Sequence, residues 1–191
     1  MILIETKVDS ANGIYAKIRE HSSIADPKSV PGFASVDFTQ AMKPHGIYQK
    51  LTIQERKYAI HQDGSFAQLS KIGAASGTLD GENLQIHRVD VNGAYRGRGF
   101  GLALLQALLQ RALKHGVNAD GTAFLVADES ETAELRKYYQ RMGFEIDVDY
   151  GATDDPQQWP MKAKISVAIT NIQIWRAARY SENAAHIVLF S

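Results

Sequence analysis

Residues 95–101 read YRGRGFG, and they run straight into LALLQALLQRALKHG at 102–116. Glycine inside a helix costs about 1 kcal/mol relative to alanine. Three of them, Gly97, Gly99 and Gly101, at the mouth of a leucine-rich helix therefore suit a backbone that must come close to something. The first N–H groups of a helix have no partner within it, and the aligned peptide dipoles add partial positive charge there. Side chains withheld at these positions leave those donors open, and Arg96 and Arg98 add charge on either side. In physical terms this is a cradle for a diphosphate. A tight turn whose glycines only supply positive φ would use the same residues.

Two familiar phosphate loops do not fit. The P-loop needs a lysine and a hydroxyl at the helix start, and neither follows Gly101. The dinucleotide fingerprint GxGxxG has a different glycine interval and follows the first strand of a βαβ unit, whereas the run before this loop reads as antiparallel. An RNA-binding RGG segment sits poorly with a neutral chain, since Lys plus Arg and Asp plus Glu are both 21.

The surrounding pattern predicts a mixed α/β (α+β) domain. ILIETKV at 2–8 reads as a strand. Ser10 and Asn12, ahead of Ile14, Tyr15 and Ile18, read as the capped start of an amphipathic helix. Pro27, Pro31 and Pro44 interrupt the next stretch, with SVDFTQAM at 35–42 as a short helix between them. KYAIHQ, the turn DGS, and FAQLSKIGAAS form a hairpin, and a second turn at Asp80-Gly81 leads into LQIHRVDV at 84–91. Simple alternation there puts Leu84, Ile86, Arg88 and Asp90 on one face and Gln85, His87, Val89 and Val91 on the other. TAFLVAD at 122–128 is a buried strand. Asp128 and Glu131 have capping-box spacing before a helix with Leu135, Tyr138 and Met142 as its apolar stripe. FEIDVDY, KAKISVAITNIQIW and HIVLF read as further strands, with YSEN as the last turn. There is no repeat and no linker, so residues 1–191 are expected to form one domain, a mostly antiparallel central sheet flanked by helices.

The 191 residues contain no cysteine, which removes disulfides, thiolate metal sites and a cysteine nucleophile. No stretch approaches the ~18 apolar residues of a membrane helix, and MILIETKVDS lacks signal-peptide character. The expectation is a soluble, cytoplasmic protein without a metal, with no membrane or nucleic-acid partner.

VDVNGAYRGRGFGLALLQALLQRA at 89–112 resembles the acetyl-CoA-binding signature of the GNAT acetyltransferase superfamily, Arg or Gln, x, x, Gly, x, Gly or Ala. Arg96, Gly99 and Gly101 hold its fixed positions, and YQRMGF at 139–144 is similar to the family's next motif. These motifs span about residues 84–148; residues 1–56 and 149–191 are then acceptor-side and closing elements. The resemblance implies an N-acetyltransferase moving acetyl from acetyl-CoA, as co-substrate, to a primary amine of a small molecule, peptide or protein. It implies that main-chain groups of Val89 and Val91 pair with the pantetheine arm. The N–H groups from Arg98 to Leu102, with Gly97, Gly99, Phe100 and Gly101 in the loop, would hold the diphosphate. Arg96 would brace the turn or approach a phosphate. Tyr139 matches the tyrosine that protonates the departing thiolate. Thr132 stands where many members carry an asparagine on the pantetheine.

For the general base the sequence offers His87, Asp90, Asp128 and Glu129, and alternation keeps His87 and Asp90 on opposite faces. Asp147, Asp149, Asp154 and Asp155 either favour a cationic acceptor or form a solvated face. The absence of cysteine favours direct attack over a covalent intermediate. The same motifs would also serve a non-catalytic acyl-CoA sensor or partner-binding domain. A tRNA-directed acetyltransferase is disfavoured by the neutral charge. A monomer and a homodimer are equally allowed.

Overall fold

The computed structural model describes residues 2–24, 48–53, 56–61, 66–130, 133–150, 155–184 and 187–190. In chain order the strands are β1 (Ile2–Val8), β2 (Gly13–Ile24), β3 (Tyr48–Ile53), β4 (Arg56–His61), β5 (Phe66–Asp80) and β6 (Asn83–Val91). Helix α1 (Phe100–Lys114), β7 (Thr122–Asp128), α2 (Leu135–Arg141), β8 (Glu145–Ile146), β9 (Gln158–Lys164), α3 (Ile165–Ala184) and β10 (Ile187–Phe190) follow. The sheet runs β10-β1-β2-β5-β6-β7-β9-β8, with β3 and β4 attached through β5. Its described pairs are antiparallel except β1 with β10 and β6 with β7. The mixed, mostly antiparallel sheet expected from the sequence is what forms.

The helix expected at Ile14–Ile18 is instead the start of β2. Ile14, Ala16 and Ile18 are buried at every second position, and burial of that face outweighs the helical spacing of Ile14, Tyr15 and Ile18. The cap residues serve a hairpin turn. Asp9 Oδ1 accepts the N–H groups of Ala11 and Gly13, and Asn12 takes φ 60°. These bonds, that from Gly13 foremost, hold the Asp9 carboxyl below the usual range. A Cβ on Gly13 would lie 2.7 Å from Asp9 Oδ2 and push the carboxylate that holds the turn aside. The short helix expected at 35–42 and the DGS turn lie outside the described residues.

Helix α1 is buried nearly all round, from Phe100 through Ala112. One side packs on β1, β2, β5 and β6, the other on α3. Its one buried polar side chain, Gln106, accepts a hydrogen bond from the Arg176 guanidinium of α3.

Helix α3 replaces the closing strand expected over 162–175 and absorbs the YSEN turn. The strand β9 stops at Lys164, and the N–H groups of Ile165 and Ser166 go to the carbonyls of Gly121 and Ala119. Two orphan donors of the helix are thereby satisfied. Ile165, Ala168 and Ile172 are then fully buried, while Val167 and Ile174 face out. Strand β10 forms at Ile187–Phe190, as the sequence suggested.

FEIDVDY is extended only at Glu145–Ile146 and then curls into a turn at Val148–Tyr150. Asp147 is buried there, and Lys162 Nζ of β9 sits 2.8 Å from Asp147 Oδ1 and 2.9 Å from Asp149 Oδ2. The hydrogen bonds to these two carboxylates push the lysine pKa well above its usual range. Through Lys162 these two acids clamp the turn to the sheet; Asp147 is buried, while Asp149 keeps its side chain in solvent, as a solvated face would. Asp155 Oδ1 caps a turn by accepting the Gln157 N–H, and Asp154 lies outside the described residues. Among the described residues no helix is long and apolar enough to cross a membrane.

Candidate functional site

Strands β6 and β7 are parallel neighbours, yet their register covers only Leu84 with Ala123 and Gln85 with Phe124. Beyond that point β6 stays paired to β5 as far as Val91, and β7 stays paired to β9 as far as Asp128. The two strands splay, and the sheet opens into a wedge. On its β6 side the main chain is oriented by alternation. The Asn92 N–H goes to the Ile72 carbonyl of β5, so the N–H and C=O groups of Val89 and Val91 point the other way, into the wedge. The Val91 carbonyl is already used, accepting Arg96 Nε at 3.2 Å. Of the two roles open to Arg96, bracing the turn is the one its side chain performs here.

The loop at the mouth of α1 lies beyond the end of β6. Gly97 and Gly99 take φ 75° and 80°, left-handed values that suit glycine, and Gly99 is the N-cap of α1. The first carbonyl to accept inside the helix is that of Gly99, from the Ala103 N–H. The N–H groups of Phe100, Gly101 and Leu102 precede it and leave the helix end uncapped. A Cβ on Gly101 would meet only Tyr138 Oη at 3.5 Å and Val91 Cγ2 at 3.8 Å, which is ordinary contact. Gly101 is thus not required by packing. Phe100 is buried and anchors the loop.

Tyr95 ties this loop to the sheet. Its hydroxyl donates to Glu20 Oε2 of β2 at 3.2 Å, its ring meets Phe100 edge-on, and the Arg98 guanidinium lies 5.7 Å from the ring centroid. Partial burial, then the Glu20 carboxylate, raises the Tyr95 pKa. The glycine motif gives no hint of Glu20, which lies 75 residues earlier. Glu20→Ala is expected to weaken affinity for coenzyme A roughly 3- to 10-fold, the worth of one net hydrogen bond, with Glu20→Gln largely restoring it. Calorimetric titration with coenzyme A checks this.

A cavity of 310 Å³ occupies the wedge, and His87, Asp90, Arg96, Asp128, Ser130 and Tyr139 are on its wall. Tyr139 is 8% exposed, more deeply set than Tyr138, although the stripe through Leu135 and Met142 pointed to Tyr138 as the core residue. The ring packs edge-on against both Tyr138 and Phe144. Desolvation pushes its pKa up to about 12.

The helix behind it is capped differently from the expected box. Asp128 Oδ1 accepts the Ser130 N–H at 3.0 Å, while Glu129 Oε1 accepts the Arg136 N–H at 2.9 Å and so caps α2 from outside. Side-chain and main-chain bonds from Ser130 keep the Asp128 carboxyl below its usual range. Glu129 is absorbed by this role. Thr132 lies outside the described residues.

His87 and Asp90 share the cavity wall, which simple alternation excluded. Ser76 pairs with Arg88 but Gly77 pairs with Ile86, so β6 bulges at His87 and the alternation resets. A larger groove, of 510 Å³, lies beside the cavity over β1, β2 and β5 and shares Arg88 with it. Among the described residues no cluster of three His, Asp or Glu side chains is placed to hold a metal.

Comparison with known proteins bears on this arrangement. Residues 37–144, more than half of the chain, match the sequence profile of the Acetyltransferase (GNAT) family. A comparison with curated protein sequences gives no match. Among solved structures, the PaiA N-acetyltransferase of Thermoplasma acidophilum, determined with coenzyme A, is 17% identical. That likeness covers 57% of this chain and 59% of that one, with a TM-score of 0.40. An acetyltransferase from Bacillus cereus is also 17% identical, over 66% of this chain and 83% of its own, with a TM-score of 0.41. The profile match carries the assignment: this chain belongs to the GNAT acetyltransferase family, a class of acyltransferases that use acetyl-CoA.

Proposed function

We propose that the protein is an N-acetyltransferase that moves acetyl from acetyl-CoA to a primary amine by direct attack, within one domain. The observation that carries this reading is the wedge between β6 and β7. It has open main-chain groups along one side, bared helix donors at one end and a buried, protonated phenol on its wall.

In this reading the N–H groups from Arg98 to Leu102 hold the diphosphate, with Gly97 and Gly99 shaping the turn and Gly101 keeping the donors accessible. Main-chain groups of Val89 and Val91 pair with the pantetheine arm, Arg96 keeps the turn rigid, and Thr132 is left to contact the same arm. Bound acetyl-CoA supplies an acyl thioester, whose carbonyl carbon is open to a neutral amine. Tyr139 Oη holds its proton up to about pH 12, so it enters every turnover as a donor. A phenol that weakly acidic gives up its proton only to a strongly basic centre. The departing sulfur takes that proton beside Tyr139, where the burial that raises the phenol also raises the basicity of a thiolate. The acceptor, a small molecule or a peptide, approaches from the groove that shares Arg88 with the cavity. The cytoplasm, where acetyl-CoA and free amines meet, is the proposed compartment.

Calorimetry with acetyl-CoA, followed by a thiol-release assay against a broad amine and peptide panel, tests the reading. Release of coenzyme A that depends on an added amine supports it. Tight binding without turnover of any acceptor favours the acyl-CoA sensor instead. The raised tyrosine has a separate signature. An acid held protonated by folding costs stability once the unfolded chain can ionise, so stability is expected to fall between about pH 10 and about pH 12. In Tyr139→Phe that part of the loss disappears, as alkaline unfolding curves would register.

A further inference from the structure

The bulge in β6 singles out one side chain. His87 is the extra residue between Ile86, which faces Gly77, and Arg88, which faces Ser76. A bulge of this kind turns consecutive side chains to one side of the sheet and is often found beside active sites. His87 and Arg88 are both exposed on that side. His87 Nε2 lies 2.8 Å from Thr78 Oγ1 of β5, and Arg88 reaches forward to Asp90 Oδ2 at 3.1 Å. His87 is thereby set on the same cavity wall as Tyr139, across from the β7 side where Asp128 and Ser130 lie.

We infer that His87 is the general base that deprotonates the acceptor amine, with Thr78 fixing its tautomer. The inference rests on the acetyltransfer reading above. The other acids named from the sequence are engaged. Glu129 caps α2 through the Arg136 N–H, Asp90 pairs with Arg88, and Asp128 accepts from Ser130. The bonds from Ser130 hold the Asp128 carboxyl below its usual range and make it a poorer proton acceptor, while imidazole is the side chain best suited to general-base work near neutrality. An Nε2–H facing Thr78 Oγ1 would leave Nδ1 as the accepting nitrogen. Among the described residues, the charged and titratable groups that share the wall with His87 are Arg88, Asp90, Arg96, Asp128 and Tyr139.

The proton balance closes. An acceptor that arrives as an ammonium ion loses one proton through His87 to solvent before attack. As the amine nitrogen bonds to the acyl carbon, a second proton passes from that nitrogen to His87 Nδ1. The carbon–sulfur bond breaks, the sulfur takes the Tyr139 proton, and the imidazolium returns a proton to the phenolate through water. One acetyl group moves, one thiol leaves and one proton is released.

The test is thiol release as a function of pH for wild type, His87→Gln and Thr78→Val, using a primary amine that the wild type acetylates, together with coenzyme A affinity. His87→Gln is expected to lower kcat/KM roughly 100-fold or more. It should also remove the ascending limb near neutrality, so that the residual rate follows ionisation of the amine itself. Coenzyme A affinity should be unchanged. Thr78→Val is expected to keep the limb but displace it, with kcat reduced and the KM for acetyl-CoA unaltered, a pattern that a merely structural role would not give. An active wild type whose His87→Gln form keeps the same limb and a rate within about threefold overturns the base alone. A wild type that binds coenzyme A but releases no thiol with any amine overturns the acetyltransfer reading, and this inference with it.

Discussion

Replacing Tyr139 by phenylalanine is expected to lower kcat by roughly 100- to 10,000-fold, the usual worth of a positioned proton donor, while affinity for acetyl-CoA stays the same. The substitution removes one oxygen and keeps the ring, whose edge contacts with Tyr138 and Phe144 hold that part of α2 together. Folding should survive it, because the group lost is a buried hydroxyl whose desolvation already disfavours its charged form. The loss should appear in kcat and kcat/KM alike, since the proton is transferred only as the sulfur departs. A weakly basic leaving thiolate would need the donor less. An acyl donor with a more acidic thiol should therefore recover part of the lost rate in the variant. A stopped assay of thiol release with both donors checks each statement. An unchanged kcat with acetyl-CoA would remove the acid role from Tyr139.

The parts of this site that could be read from the sequence are those settled by local chemistry. Gly97 and Gly99 announce left-handed φ, and the leucine run behind Gly101 announces a buried helix, so the loop and α1 were legible from twenty or so adjacent residues. The same is true of TAFLVAD, whose apolar run forms β7 from Thr122 to Asp128. What could not be read depends on partners far along the chain. Ile165, Val167 and Ile169 alternate as a strand would, and helix is chosen because the carbonyls of Ala119 and Gly121 take the first two N–H groups. Ser10 and Asn12 suit a helix cap as well as the hairpin turn that Asp9 closes, so local chemistry does not separate the two. Burial of Ile14, Ala16 and Ile18 against α1 and the sheet decides for a strand. Alternation placed His87 on the wrong side relative to Asp90, because a bulge is a property of the pair β5–β6 and not of either strand alone. Glu20 was invisible as a support of the loop for the same reason.

Gly101→Glu separates the coenzyme's requirements from those of the fold, because the two are expected to move in opposite directions. A Cβ there makes only ordinary contacts with Tyr138 and Val91, so the position accepts a side chain. Glutamate in the first turn of α1 gains roughly 0.5–1 kcal/mol of helix propensity over glycine and a favourable interaction with the helix dipole. Thermal stability should stay level or rise. The same carboxylate lies among the N–H groups of Phe100 to Leu102, where it occupies donors meant for an anion and repels one. The most direct measurement is a calorimetric titration of folded Gly101→Glu with coenzyme A beside the wild type, with both melting curves recorded. A fall in affinity of about 100-fold or more, near 2.7 kcal/mol, with no loss of melting temperature is the expected result. Affinity for coenzyme A equal to that of the wild type, in a variant that melts normally, would contradict a diphosphate docked on the open end of α1.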